Sequence, residues 1–341
     1  MSETGEASEE AGEAGEVSEA RRTREPRDPH EPQEPPAPLG QLAVAGWSAL
    51  GRYTGTLLTL FVVQLALAAM TMFAMARVLS AAFSQYPYFD RAVDGDLAGW
   101  IYLLGNHREV FAAVGWLGFG AVLVWLLVSW FLHAGTIGVL GERPEGRAAT
   151  ARCFGANGAS AFLSLMRLSI LSLPSYLLVV MVLFLGLDAV APRIEFALSL
   201  RQLLGWLAVG LAPALVMLHI LWTISDYART ELVLRRDSHQ LSVLAAYGRA
   251  LSFVLRRPGT LLHTGLGWLL VGAVALVYAL AAHGHPMAGE GGAVALLIVR
   301  QGVILAQLAI RFCVHGGQVA LVRQRPSPPV QPLERGRVSA P

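Results

Sequence analysis

Four polar residues in the last apolar run of the chain, Arg300, Gln307, Arg311 and Gln318, are the ones best placed to do chemistry. Their spacings of 7, 4 and 7 residues put them on one face of a helix with 3.6 residues per turn. An Arg inside hydrocarbon costs at least about 2.5 to 3.5 kcal/mol, so this face is expected to look into a bundle or a wet cavity rather than at lipid. Because a guanidinium grips phosphate and carboxylate in a planar, bidentate manner, one reading of the stripe is a path for an anion or a lipid headgroup. The simpler expectation is an ion-pair lock, with Arg300 and Arg311 also snorkelling towards opposite interfaces. Asp188 and Glu195, near the level of Arg300, and Asp226, near that of Arg311, are the candidate counter-charges, and pairing them would bind the sixth apolar run to the third and fourth.

A second group is basic and lies between the fourth and fifth apolar runs: Arg235, Arg236, Arg249, Arg256 and Arg257. Leu241, Leu244, Tyr247, Leu251 and Val254 recur there at helical spacing, which predicts an amphipathic helix capped by Ser238 and ended by Pro258 and Gly259. Such a helix, with arginines beside an apolar face, is expected to lie on anionic headgroups; docking of a protein partner at the cytoplasmic face is the second use of the same surface.

The remaining polar residues read more plainly. Asp90, Asp94 and Asp96 do not follow a calcium-loop pattern; Asp94 with Gly95 reads as a turn and Asp96 as a helix cap before Leu97. His283 and His285, even with Glu290 or His107, fall short of a local metal-ligand set, and His133, His219 and His315 are expected to be satisfied by packing within the spans. The two cysteines, Cys153 in a loop and Cys313 near the end of the sixth run, suggest neither a disulfide framework nor a redox pair. No phosphate loop, nucleophile elbow, zincin helix or dinucleotide fingerprint is present, so no metal or cofactor is expected and the usual grounds for proposing an enzyme are missing. The Arg clusters sit against expected membrane, which argues against nucleic acid as a partner.

The elements that must position these residues follow from composition. Of 341 residues, 54% are hydrophobic and 15% charged, and the mean hydropathy of +0.51 is far too apolar for an ordinary soluble domain. A bilayer core about 30 Å thick needs about 20 apolar residues per helix. Six runs qualify: 57–76, 110–132, 165–187, 203–224, 261–282 and 293–322. Pro174 and Pro213 interrupt the third and fourth. The fold class expected is all-α: a polytopic bundle of about six transmembrane helices, with the amphipathic helix on its cytoplasmic face.

Charge sets the expected orientation. Arg143, Arg147 and Arg152 follow the second run, and Arg229 joins the basic group after the fourth, so both loops are expected to be cytoplasmic. An even number of spans then places both termini inside a bacterial inner membrane. Residues 1–40 carry 11 acids against 4 arginines, with a proline-rich end, while the rest of the chain carries 22 arginines against 13 acids. The first segment is expected to be a disordered acidic tail without a cleavable secretory signal, residues 41–325 the membrane domain, and residues 326–341 a second disordered tail.

Asp226-Tyr-Ala-Arg229 at the end of the fourth run, the serine-containing amphipathic stretch, and Arg256-Arg257-Pro258-Gly259 before the fifth carry a family likeness. Over about residues 45–322 the chain resembles bacterial six-span membrane proteins of domain-of-unknown-function type, which are similar in turn to the membrane part of membrane-anchored glycerophosphodiester phosphodiesterases. The resemblance implies a helical inner-membrane fold and no reaction. Two functions remain open: a non-enzymatic component that binds membrane lipids or a partner, and a transporter or permease for an anionic or amphiphilic solute. Transporters often pair interrupted helices in corresponding halves. Pro174 and Pro213 lie in adjacent spans instead, which favours the first.

Overall fold

The structure is a computed structural model that describes residues 39–86, 89, 96–196, 199–235, 242–283 and 290–324. The acidic segment before Leu39, the tail from 325 onward, and Asp90, Asp94, Arg236, Ser238, Leu241 and His285 lie outside the described residues.

Among the described residues the chain is built from helices: α1 (Leu39–Arg52), α2 (Thr54–Phe83), α3 (Leu97–Asn106), α4 (Arg108–Glu142), α5 (Arg147–Glu195), α6 (Leu200–Leu234), α7 (Val243–Arg256), α8 (Pro258–His283) and α9 (Glu290–Arg323). Six of them are long and apolar enough to cross a membrane: α2, α4, α5, α6, α8 and α9. They contain the six expected runs, and the protein is a polytopic helical bundle. Leucine, valine and phenylalanine side chains on α2, α4, α5 and α6 are exposed along these stretches, as a lipid-facing surface requires.

The helices run further than the apolar runs. At 49 residues, α5 is about 70 Å long, more than twice the thickness of a hydrocarbon core. What reads in sequence as an Arg-rich loop shrinks to the turn between Glu142 and Arg147. There Arg143 takes a left-handed conformation with φ 56° and Gly146 has φ 81°. Arg147, Arg152 and Cys153 therefore belong to α5, and Arg229 belongs to α6.

Packing is uneven along the bundle. At the end that carries the α4–α5 turn and α7, which we call the Arg-rich end, residues 134–141 of α4 and 223–228 of α6 are buried without interruption. Tyr227, Ile137 and Phe312 join Leu165 and Leu168 of α5 there among the largest fully buried side chains. At the far end, α3 folds over a smaller aromatic cluster. Its start is capped by the Asp96 carboxylate, which accepts from the Ala98 amide at 2.9 Å. Phe83 is buried there with Leu103, and His107 packs edge-on against Phe83 and Tyr86 at 5.1 and 4.8 Å.

Close helix contacts rely on small residues. α1 lies against α9 where Gly46 meets the Cys313 backbone and Gly316 meets Gly46, while Gly186 of α5 and Gly210 of α6 bring those backbones together. Gly135 and Gly138 accept Phe154 and Asn157 of α5, and Gly141 accepts Leu234, so these glycines serve contacts within the chain.

A branched side chain at position 46 would overlap the α9 backbone, which cannot move aside as a flexible side chain would. Gly46→Val is expected to lower stability by about 1 to 3 kcal/mol. Gly51→Ala on the same helix meets open space and is expected to be neutral or mildly stabilising. Thermal unfolding of the detergent-solubilised protein, followed by size-exclusion fluorescence, compares the two.

Candidate functional site

The stripe on α9 faces α8. Gln307 donates to the Val271 carbonyl at 3.4 Å, and Gln318, completely buried, donates to the Thr264 hydroxyl at 3.5 Å while its carbonyl accepts from His315 Nδ1 at 2.9 Å. His263 of α8 reaches back to the Val314 carbonyl at 3.4 Å. These bonds fix the α8–α9 seam with polar contacts that an apolar solvent cannot replace. The stripe thus serves the fifth and sixth spans, where the sequence suggested the third, fourth and sixth.

The two arginines of the stripe have different surroundings. Arg300 is exposed, as are Asp188 and Glu195, and among the described residues Arg300 forms no ion pair with either. Each of these groups sits near the far end of its helix, where an interface can hydrate it. Arg311 is exposed as well, nearer the middle of its helix, and its guanidinium lies over the Trp268 ring of α8, 4.8 Å from the centroid.

Arg311 borders a cavity of about 60 Å³, room for a few water molecules, between α4, α6, α8 and α9. Asp226, Arg229, His133 and His315 also line it. Asp226 therefore shares a chamber with Arg311, as matching depth suggested. Its ion pair, however, is with Arg229 of its own helix, at 3.0 Å. Trp222 and Trp268 form one wall, with their rings edge-on at 5.1 Å.

The histidines are fixed by neighbours. His133 Nδ1 lies 2.7 Å from the Ser129 carbonyl and must donate to it, and its ring stands edge-on to His315 at 5.9 Å. His219 Nε2 bonds the Leu261 carbonyl at 3.1 Å and so ties α6 to α8. Among the described residues no three His, Cys, Asp or Glu side chains converge on a point that could hold a metal. Cys153 and Cys313 are both thiols rather than halves of a disulfide, and Cys153 donates to the Glu142 carboxylate at 3.4 Å. Asn157 also donates to Glu142, at 2.7 Å, completing a polar clasp between α4 and α5.

The basic group around α7 divides into two sets. Glu231 of α6, buried to 1% side-chain exposure, takes Arg249 at 3.0 Å and Arg235 at 3.9 Å, so these two arginines tie α7 and the α6 terminus to the core. Arg256 is exposed, and Arg257 lies over the Phe253 ring at 5.1 Å. The helix itself is capped by Ser242, whose hydroxyl accepts from the Ala245 amide at 3.1 Å. Ala246, Ala250, Phe253 and Val254 form its buried face, whereas Leu244, Leu251 and Leu255 are exposed. The expected apolar stripe of leucines is thus largely the outward one.

Sequence reasoning reached Arg311 and Asp226 but missed Arg229, His133, Trp222 and Trp268 as members of the site. The Asp226-Arg229 spacing of three residues was a usable signal once the helix was extended to Leu234. The contributions of α4 and α8 left no local trace.

The fold and this chamber define a class, a polytopic helical membrane protein with a small charged cavity between four helices. Comparison with family models, curated proteins and solved structures finds no match to the chain.

Removing the Glu231 carboxylate leaves Arg249 without its partner in a partly buried position. Glu231→Ala is expected to destabilise by about 3 to 5 kcal/mol, with much less added by Arg249→Ala in the double variant. Thermal unfolding of the two single variants and the double variant tests this. Additive losses would show that the pair does not tie α7 down.

Proposed function

We propose that the protein is a non-catalytic membrane component that binds the anionic headgroup of a lipid at its Arg-rich end, with Arg311 as the anchoring cation. The observation that carries this reading is the state of Arg311. Its guanidinium stacks on Trp268 beside a polar cavity and has no ion-pair partner among the described residues, although Asp226 lines the same cavity. A cation at this depth needs an anion or water, and an acidic headgroup supplies the stronger partner.

Other features support the same reading. The exposed leucines of α7, with Arg256 and Arg257 at its end, suit a helix lying along a membrane surface. The reading places the Arg-rich end and both termini on the cytoplasmic side of a bacterial inner membrane, where acidic lipids attract basic residues. The likeness to six-span membrane proteins fits this architecture.

The permease reading has less support. A transported solute needs a route through both halves of the bundle, whereas the cavity is confined to the Arg-rich half and α5 and α6 close together at Gly186 and Gly210.

Native mass spectrometry of the gently solubilised protein tests the proposal. Wild type is expected to retain one acidic lipid in preference to phosphatidylcholine, and Arg311→Gln to weaken that retention by about tenfold or more, the loss of one charge-assisted contact. Arg300→Gln, outside the cavity lining, is expected to retain it. Equal retention by wild type and Arg311→Gln would overturn the assignment.

A further inference from the structure

Acidic headgroups differ in how many charges they carry, and the charges around the cavity discriminate among them; this narrower assignment rests on the headgroup reading of Arg311. Among the described residues, the ionisable groups facing the chamber are His133 from α4, Asp226 and Arg229 from α6, and Arg311 and His315 from α9. From α8 the chamber receives only neutral side chains, Thr264 and Trp268 among them. Apart from the two imidazoles, two guanidiniums face one carboxylate, a balance of +1.

We propose that this site selects a ligand with one negative charge, a phosphodiester, over a phosphomonoester dianion. A single charge brings the chamber to neutrality. A second charge would find no third cation among the lining residues and would lie beside the Asp226 carboxylate. Asp226 cannot withdraw, because it is buried and paired with Arg229 at 3.0 Å. Asp226 is therefore a specificity-determining residue that acts by repulsion, and Arg311 provides the attraction.

Full-length protein in phosphatidylcholine nanodiscs, doped with phosphatidylglycerol or with phosphatidic acid, provides the test. Working at pH 8 keeps the monoester largely dianionic. Wild type is expected to bind phosphatidylglycerol about tenfold or more tightly than phosphatidic acid, since the second charge has no cation among the lining residues and lies beside a carboxylate. Asp226→Asn, which raises the fixed charge by one, is expected to remove or reverse that preference. If Asp226→Asn fails to assemble, the wild-type preference alone decides the point. Equal or tighter binding of phosphatidic acid by wild type would overturn the selectivity while leaving the headgroup site intact. No binding of either acidic lipid above phosphatidylcholine would overturn the site itself. Displacement of phosphatidylglycerol by dimethyl phosphate would support the diester chemistry and identify a water-soluble solute as its source; failure to displace supports the lipid as the source.

Discussion

Two carboxylates on the last three turns of α6 organise the Arg-rich end. Asp226 and Glu231 are buried, and a buried carboxylate persists only where cations and donors surround it. Glu231 draws Arg249 from α7 and Arg235 from the end of its own helix, which brings the surface helix down onto the core. Asp226 takes Arg229, and this pair borders the chamber beside Arg311. The tight packing of α4, α6 and α9 at this end surrounds these groups. Among the described residues the far half of the bundle buries no carboxylate, and it is joined by the Gly186–Gly210 contact and an aromatic cluster.

The spans were legible because a bilayer imposes a length and a polarity that composition records directly. What was hidden has physical causes. The first turns of α5, from Arg147 to Ser164, mix Arg, Ser, Asn and Gly with apolar residues, so they resemble a loop in hydropathy although their backbone is helical. α1 was missed because, at 14 residues, it is too short to cross a bilayer and so falls outside a search for spanning runs, although it packs on α9 through Gly46. The buried face of α7 was misread for a related reason. In water the largest apolar side chains turn inward, but beside lipid Leu244, Leu251 and Leu255 are as well placed outside, and Ala246 and Ala250 allow close approach.

The site was half legible. Arg311 and Asp226 announced themselves as charges inside apolar runs, and helical depth was enough to bring them to one level. Their orientation depends on how α6, α8 and α9 are rotated about their axes, which charge spacing does not determine. Hence the stripe could be assigned a common face without revealing that α8, through Thr264, Trp268 and Val271, is its neighbour. Arg300 shows the opposite case. Depth alone matched it to Asp188 and Glu195, but near an interface each group can be hydrated separately, and pairing long side chains there gains little.

The partition of charge at the chamber bears on how the helices are fastened there. A lock between α6 and α9 would spend Asp226 on Arg311, because that pair joins two helices and neutralises the deeper cation. Instead, Asp226 is paired with Arg229 one turn away on the same helix, a contact that ties no helices together. The seam of α9 is meanwhile fixed to α8 by Gln307, Gln318 and His263, which are neutral and need no counter-charge. The seam therefore does not depend on Arg311 as an ionic fastener, and its guanidinium lies over Trp268 at the edge of the cavity that Asp226 also lines. The headgroup proposal starts from this arrangement, in which the nearest carboxylate is already paired with another arginine.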